Sequence, residues 1–425
     1  MSAAPLRRRL TGFLLIPTIA ALSPLVVLPL VSRSAGPSGW ASAIAGESIG
    51  TFAAIVIGYG WAAIGPALVS LAEDDGERAR LYRESLVVRL ILTVITLPAL
   101  AIVCWLVASP GHEWLTVLMG LQGALIALSF TWYAAGTGTP RTIIALDAVP
   151  RLIAAAASGA LIVATGVVEL YPISGMLVTV GGTAVFTVRL LRAHPGPWPA
   201  RGEVGGLLRA GWPVALNDMA LSAYSSVPAP LVNVTSPASL AAGYASADKM
   251  FKLGSVIPFT LANALQAWVG EVSSAARAHR MRAALWAHAG FGVLGAVVLT
   301  ALGPAVSRLL FGDAAAAGID VLAAMGVVFA ILSVRTSMTR HVLYPAGEAR
   351  IVTRATLIAT SIGVPAMVAL AFVLGPVGVA IGYAATEAIA TALLYAPCRS
   401  VLRALADTGD DPTGVDPADE GGPVA

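Results

Sequence analysis

LPLVSRSAGPSGWASA, from Leu28 to Ala43, has an echo in the second half of the chain, APLVNVTSPASLAAGYASA, from Ala229 to Ala247. Each follows a Pro-bearing apolar run and leads into another. GWASA at Gly39 and GYASA at Gly243 lie 204 positions apart, nearly half of the 425 residues. A motif at the same point of two halves predicts a duplicated fold: two six-helix bundles in the same orientation, related by a pseudo-twofold axis along the membrane normal, with a substrate path between them.

The composition around these stretches is that of a membrane protein. Hydrophobic residues make up 57% and charged residues only 12%, against the roughly 25% charged that is usual for soluble domains. Apolar runs of about 20 residues, the length a helix needs to cross a ~30 Å hydrocarbon core, recur with short polar breaks. The first runs to about Val31. Others fall near 41–70, 85–108, 114–135, 142–168, 172–190, 210–233, 245–269, 283–306, 319–342, 352–374 and 377–398, which predicts an all-α integral membrane fold of about twelve spans. Arg7, Arg8 and Arg9 precede an apolar run with no small-residue cleavage site, so the first run reads as a retained span. The expected organisation is an N-terminal bundle over 1–195, a cytoplasmic linker over 196–208, a C-terminal bundle over 209–403 and a disordered acidic tail over 404–425.

Charge gives the orientation. The 24 Arg and 2 Lys form no basic domain, so the pI near 9.0 does not point to nucleic acid. Arg78 to Arg83, Arg141, Arg189 to Arg209, Arg277 to Arg282, Arg340 to Arg354, Arg399 and Arg403 flank breaks on one side. The other side holds little more than Arg33 and Arg308. The positive-inside rule then makes both termini cytoplasmic.

No enzymatic constellation is present. Neither Lys249 nor Lys252 follows a Gly, so there is no phosphate-binding loop of the Walker type, and HExxH and GxSxG are absent. Cys104 and Cys398 lie far apart in apolar segments and suggest neither a disulfide framework nor a metal site. Glu73, Asp74 and Asp75 are followed at once by Arg78 and Arg80 and read as a solvated loop. The sequon at Asn233 to Thr235 is incidental. No catalytic residue, metal or cofactor is therefore expected.

Ionisable residues within spans are the default functional candidates, because each costs roughly 2.5 to 3.5 kcal/mol at a helix centre on insertion scales. Asp147 and Arg151 stand at i and i+4 in the fifth span, where they can neutralise each other. Asp218, beside Asn217 in the seventh span, has no obvious local partner; Asp218 and Asp147 are the candidates for a coupling ion, a proton or sodium. Lys249 and Lys252 open the eighth span on one helix face, with Asp248 at i, i+4 to Lys252. If they look into a cavity rather than snorkel to the interface, they are candidates for an anionic headgroup site, with Arg33, Arg335 and Arg151 beside them. Pro17, Pro24 and Pro29, and Pro213, Pro228 and Pro230, permit bends in the first and seventh spans.

The chain resembles the polysaccharide biosynthesis flippases of the multidrug/oligosaccharidyl-lipid/polysaccharide transporter superfamily. The likeness is carried by Leu28 to Trp61 (LPLVSRSAGPSGWASAIAGESIGTFAAIVIGYGW), Phe130 to Arg141 (FTWYAAGTGTPR), Gly243 to Leu253 (GYASADKMFKL) and Leu309 to Gly326 (LLFGDAAAAGIDVLAAMG), in that order and placement. The resemblance implies two bundles forming a V around a central cavity in the plasma membrane. It implies movement of a polyprenyl-pyrophosphate-linked or similar oligosaccharide from the inner to the outer leaflet, driven by an ion gradient or the membrane potential without a bound cofactor. The implied partners are that substrate, membrane lipids and a polysaccharide polymerase or glycosyltransferases. The Lys pair departs from the duplication, since Lys249 answers to Ala45 and Lys252 to Ser48.

Two other functions use the same observations. A multidrug cation antiporter of the superfamily would share the fold and favour an acidic cavity. A membrane glycan polymerase or ligase would need a large outward loop, which the sequence lacks.

Overall fold

The computed structural model describes residues 3–270 and 274–407, and over these the chain is nearly all helix. The helices are α1 (Ala3–Gly58), α2 (Trp61–Leu71), α3 (Asp75–Val107), α4 (Glu113–Leu125), α5 (Thr131–Gly136), α6 (Pro140–Ile143), α7 (Val149–Thr165) and α8 (Leu170–Ala193) in the first half. The second half carries α9 (Arg201–Ser226), α10 (Pro228–Thr235), α11 (Ala238–Gly270), α12 (Ser274–Ala301), α13 (Gly303–Phe311), α14 (Ile319–Ser337) and α15 (Ala349–Asp407). Eight segments of the described residues are long and apolar enough to cross a membrane, so this is a multi-pass membrane protein. The acidic tail beyond Asp407 lies outside the described residues.

α1 and α15 are too long to be single spans, and both break in the same way. Gly36 has φ 69° and ψ −179°, and Gly375 has φ 61° and ψ −142°. A proline follows each glycine. Glycine alone enters this region without a steric cost, and the proline then starts a fresh helix whose first N–H needs no partner. These kinks coincide with the breaks expected after Val31 and after 374.

Local capping accounts for the turn before α3. The Asp74 carboxylate accepts the Glu77 amide at 2.7 Å and Asp75 pairs with Arg78 at 2.8 Å, so the acidic cluster is the N-cap of α3. Between the halves the irregular stretch is shorter than the linker read from the sequence. α9 already begins at Arg201, where the Glu203 carboxylate accepts the Ala200 amide at 2.8 Å.

Small residues let α1 and α4 touch along their backbones. A Cβ at Gly46 would lie 2.2 Å from the Thr116 carbonyl oxygen, and one at Gly50 would lie 2.2 Å from that of Gly120. This is the small-residue packing by which helices associate where no hydrophobic drive exists. It also fixes the roll of α1, which turns Glu47 and Ser48 towards the rest of the bundle.

Candidate functional site

The repeat helices meet each other. The Trp40 indole donates to Ser246 Oγ at 2.9 Å, Lys252 Nζ donates to Ser48 Oγ at 3.0 Å, and Lys249 Nζ donates to both Glu47 oxygens at 2.5 and 2.8 Å. The separations in sequence are 206, 204 and 202 residues. The part of α1 after Gly36 and the start of α11 therefore lie side by side and parallel, in the register of the repeat. Such contacts are what a twofold axis between equivalent helices produces. Trp40 also stacks on Phe311, with ring centroids 5.1 Å apart, and Ser246 Oγ donates to the Ala315 carbonyl at 2.6 Å.

The charges at this junction are matched. Lys249 is nearly buried, its side chain 8% exposed against 33% for Glu47. Lys252 pairs with Asp248, one turn back, at 2.8 Å. The two ammonium groups share the α1-facing side of α11, each with a carboxylate. Taking two charges out of water is costly, and complete pairing lowers that cost.

Glu47 is also part of the wall of a cavity of about 320 Å³ in the first half, with Gln122, Asp147, Arg151 and Tyr171. Arg151 donates to Asp147 at 2.6 Å and to Thr179 Oγ1 at 3.3 Å. The i, i+4 pair read from the sequence thus forms, and it lines the same cavity as Glu47. The second half has its own buried pair. Arg335 on α14 meets Glu387 on α15 through two hydrogen bonds of 2.7 and 3.1 Å, and Tyr224 on α9 donates to Glu387 at 2.8 Å and accepts from Arg335 at 2.6 Å. Three helices are fastened by one carboxylate.

The sequence candidates therefore fall in different places. Lys249 and Lys252 come together with Ser48 and Glu47; Asp147 and Arg151 face the same cavity as Glu47. Arg335 is inside the second half on Glu387 and not at the junction. Arg33 is exposed and donates to the Leu309 carbonyl at 2.7 Å, at the end of α13, where a cation complements the helix dipole. Asp218 lines a separate cavity of about 410 Å³ with Arg89, Ser129, Thr131 and Ser222. Glu47, Arg89 and Glu387 went unselected in the sequence. The rule that selects Asp147, an ionisable residue inside an apolar run, applies equally to all three.

No protein-family model and no curated protein matches the chain. Solved structures match its fold along nearly the whole length. The lipid II flippase MurJ in an inward closed conformation superposes with a TM-score of 0.72 at 12% identity, covering 93% of this chain and 90% of MurJ. An outward-facing multidrug resistance MATE transporter of the MOP superfamily gives 0.54 at 17%, covering 93% and 95%. A MOP superfamily transporter from Pyrococcus furiosus, whose binding pocket is described as of reverse polarity, gives 0.54 at 15%, covering 93% and 94%. At these identities the likeness shows the fold alone, one that MurJ and the MATE transporters share.

Proposed function

We propose that the chain is a flippase that moves a polyprenyl-(pyro)phosphate-linked oligosaccharide from the inner to the outer leaflet of the plasma membrane for cell-surface polysaccharide assembly. The observation that carries this reading is the fold likeness to a lipid flippase, at a TM-score of 0.72 against 0.54 for the multidrug transporter.

Twelve spans with both termini cytoplasmic suit the architecture. The bends at Gly36 and Gly375 divide two of the eight apolar segments, and α9 with α10 and the whole of α11 supply two further crossings. The Arg-flanked breaks then all lie on one side. The two bundles, 1–195 and 209–403, are held at their outward ends by the Glu47–Lys249 bridge and the Trp40–Ser246 bond. Transport requires that these open and that the inward side close.

In this reading a phosphate-bearing headgroup competes with Glu47 for Lys249 as the bundles separate, while Lys252 is shared between Asp248 and Ser48. Replacing both lysines with Gln is expected to abolish export at normal membrane abundance. Deleting the gene should leave lipid-linked glycan on the inner leaflet while its synthesis continues; arrest of synthesis itself would favour an enzyme and overturn the flippase.

The second reading, a multidrug cation antiporter, is favoured by the two acids of the first-half cavity, Glu47 and Asp147, and by the MATE neighbours. Under it, Asp147→Asn would remove resistance to cationic drugs and leave surface glycan intact.

A further inference from the structure

The repeat aligns PLVS, Pro29 to Ser32, with PLVN, Pro230 to Asn233. Ser32 and Asn233 are then equivalent, 201 positions apart, close to the 204 that separate Gly39 from Gly243. In the fold both polar side chains reach out of their own half. The Ser32 hydroxyl donates to the Phe311 carbonyl at 3.0 Å, and Asn233 Nδ2 donates to the Val107 carbonyl at 2.7 Å. The two acceptors are themselves 204 positions apart.

Val107 and Phe311 are the last residues of α3 and α13. The last carbonyls of a helix have no amide of that helix to accept, so each must be met by water or by a side chain. Here the first span of the opposite half supplies the donor, once in each direction. A twofold axis between the halves produces this reciprocity, equivalent side chains on equivalent helix ends.

Both contacts flank one turn of α1. Phe311 stacks on Trp40, and Asn233 Nδ2 also lies 3.4 Å from Ser42 Oγ, which accepts the Ser109 amide at 2.9 Å. The two sides are not equal. Arg33 adds a second bond beside Ser32, to the Leu309 carbonyl at 2.7 Å, while its counterpart in the repeat, Val234, is apolar and exposed. On the other side Asn233 Oδ1 is buried without a hydrogen bond, which costs free energy for as long as the contact is shut. A bond from a side chain to a helix end can part without unwinding any helix, since water then satisfies both groups. The amide that the sequon at Asn233 offers is engaged in this contact.

We propose that Ser32 and Asn233 are a twofold pair of latches that hold the two halves together at this end, and that both release when the halves separate. Closure by these bonds is independent of the cargo, so their test stands apart from the flippase reading.

The full chain in lipid nanodiscs carries spin labels on cysteines at the exposed Pro110 and Ala314, one in each half and each three residues beyond an acceptor carbonyl. Double electron–electron resonance reads the distance between them. Ser32→Ala and Asn233→Ala should each raise the long-distance population about fivefold, the factor for one neutral hydrogen bond. The double variant should raise it about twenty-fivefold, because the two bonds share no residue. Asn233→Asp keeps the size of the side chain and sets a carboxylate oxygen against the Val107 carbonyl, so it should raise the population at least as much as Asn233→Ala; should Asn233→Ala not fold, it takes that variant's place. Thr235→Val is the control. The Thr235 hydroxyl donates to the Leu231 carbonyl within α10, and its loss should leave the distances at wild type. Populations equal to wild type at either latch position overturn the pair, as does an equal rise in Thr235→Val.

Discussion

Breaking the Glu47–Lys249 bridge should open the junction between α1 and α11. The ammonium stands 2.5 and 2.8 Å from the two carboxylate oxygens, with the Lys249 side chain 8% exposed and that of Glu47 33% exposed. Removing one partner of a fully buried pair costs about 3–5 kcal/mol, and an exposed pair contributes about 0–1. A bridge with one end buried and the other a third exposed falls between, at about 2 kcal/mol, or a shift of about thirtyfold between closed and open populations. Spin labels on cysteines at the exposed Pro110 and Ala314 report the separation of the first and second halves of the chain at this junction. Glu47→Gln and Lys249→Gln should each raise the long-distance population by about that factor. The double variant should return part of the way, because neither side then carries an unpaired buried charge. Distance distributions identical to wild type in both single variants would refute the bridge as a closing element.

Three further outcomes are expected. Single cysteines at Ser38, Ser236 and Ala314 should react with an impermeant thiol reagent from outside and those at Gly76 and Ala200 only after permeabilisation; the reverse pattern would overturn the orientation. Arg335→Met should lower the stability of the second half by about 3–5 kcal/mol, since it leaves the Glu387 carboxylate buried and unpaired, whereas Arg335→Met with Glu387→Leu should cost less, as thermal unfolding in detergent will measure. Gly46→Ala puts a methyl 2.2 Å from the Thr116 carbonyl oxygen and should destabilise the α1–α4 contact by about 1–3 kcal/mol, while the surface change Gly205→Ala, with open space around it, should be near neutral.

What the sequence made legible follows a physical division. Signals confined to one helix could be read. The ends of apolar runs near Val31 and 374 mark breaks, and Asp147–Arg151 and Asp248–Lys252 are pairs at i, i+4 that the structure closes at 2.6 and 2.8 Å. Partners on different helices could not. Nothing local in Ala384 to Ala390 announces that Glu387 meets an arginine 52 positions earlier, and nothing near Gly46 announces that Glu47 meets a lysine 202 positions later. The repeat was the exception, because an axis between equal halves brings equivalent positions together, as Ser48 and Lys252 are. Arg33 shows the same division in reverse: its charge was visible, but its acceptor, the Leu309 carbonyl, is 276 residues away.

Movement of a lipid-linked glycan between leaflets is measured by reconstitution. The purified chain is placed in liposomes with a polyprenyl-pyrophosphate-linked oligosaccharide in both leaflets, and an impermeant glycan-modifying reagent is added outside. Nearly the whole labelled pool should become accessible in wild-type vesicles, while vesicles with the Lys249→Gln, Lys252→Gln chain and protein-free vesicles should expose only their outer half. Exposure of only half the pool by the wild-type chain, with active export of a cationic dye from the same vesicles, would contradict the flippase reading.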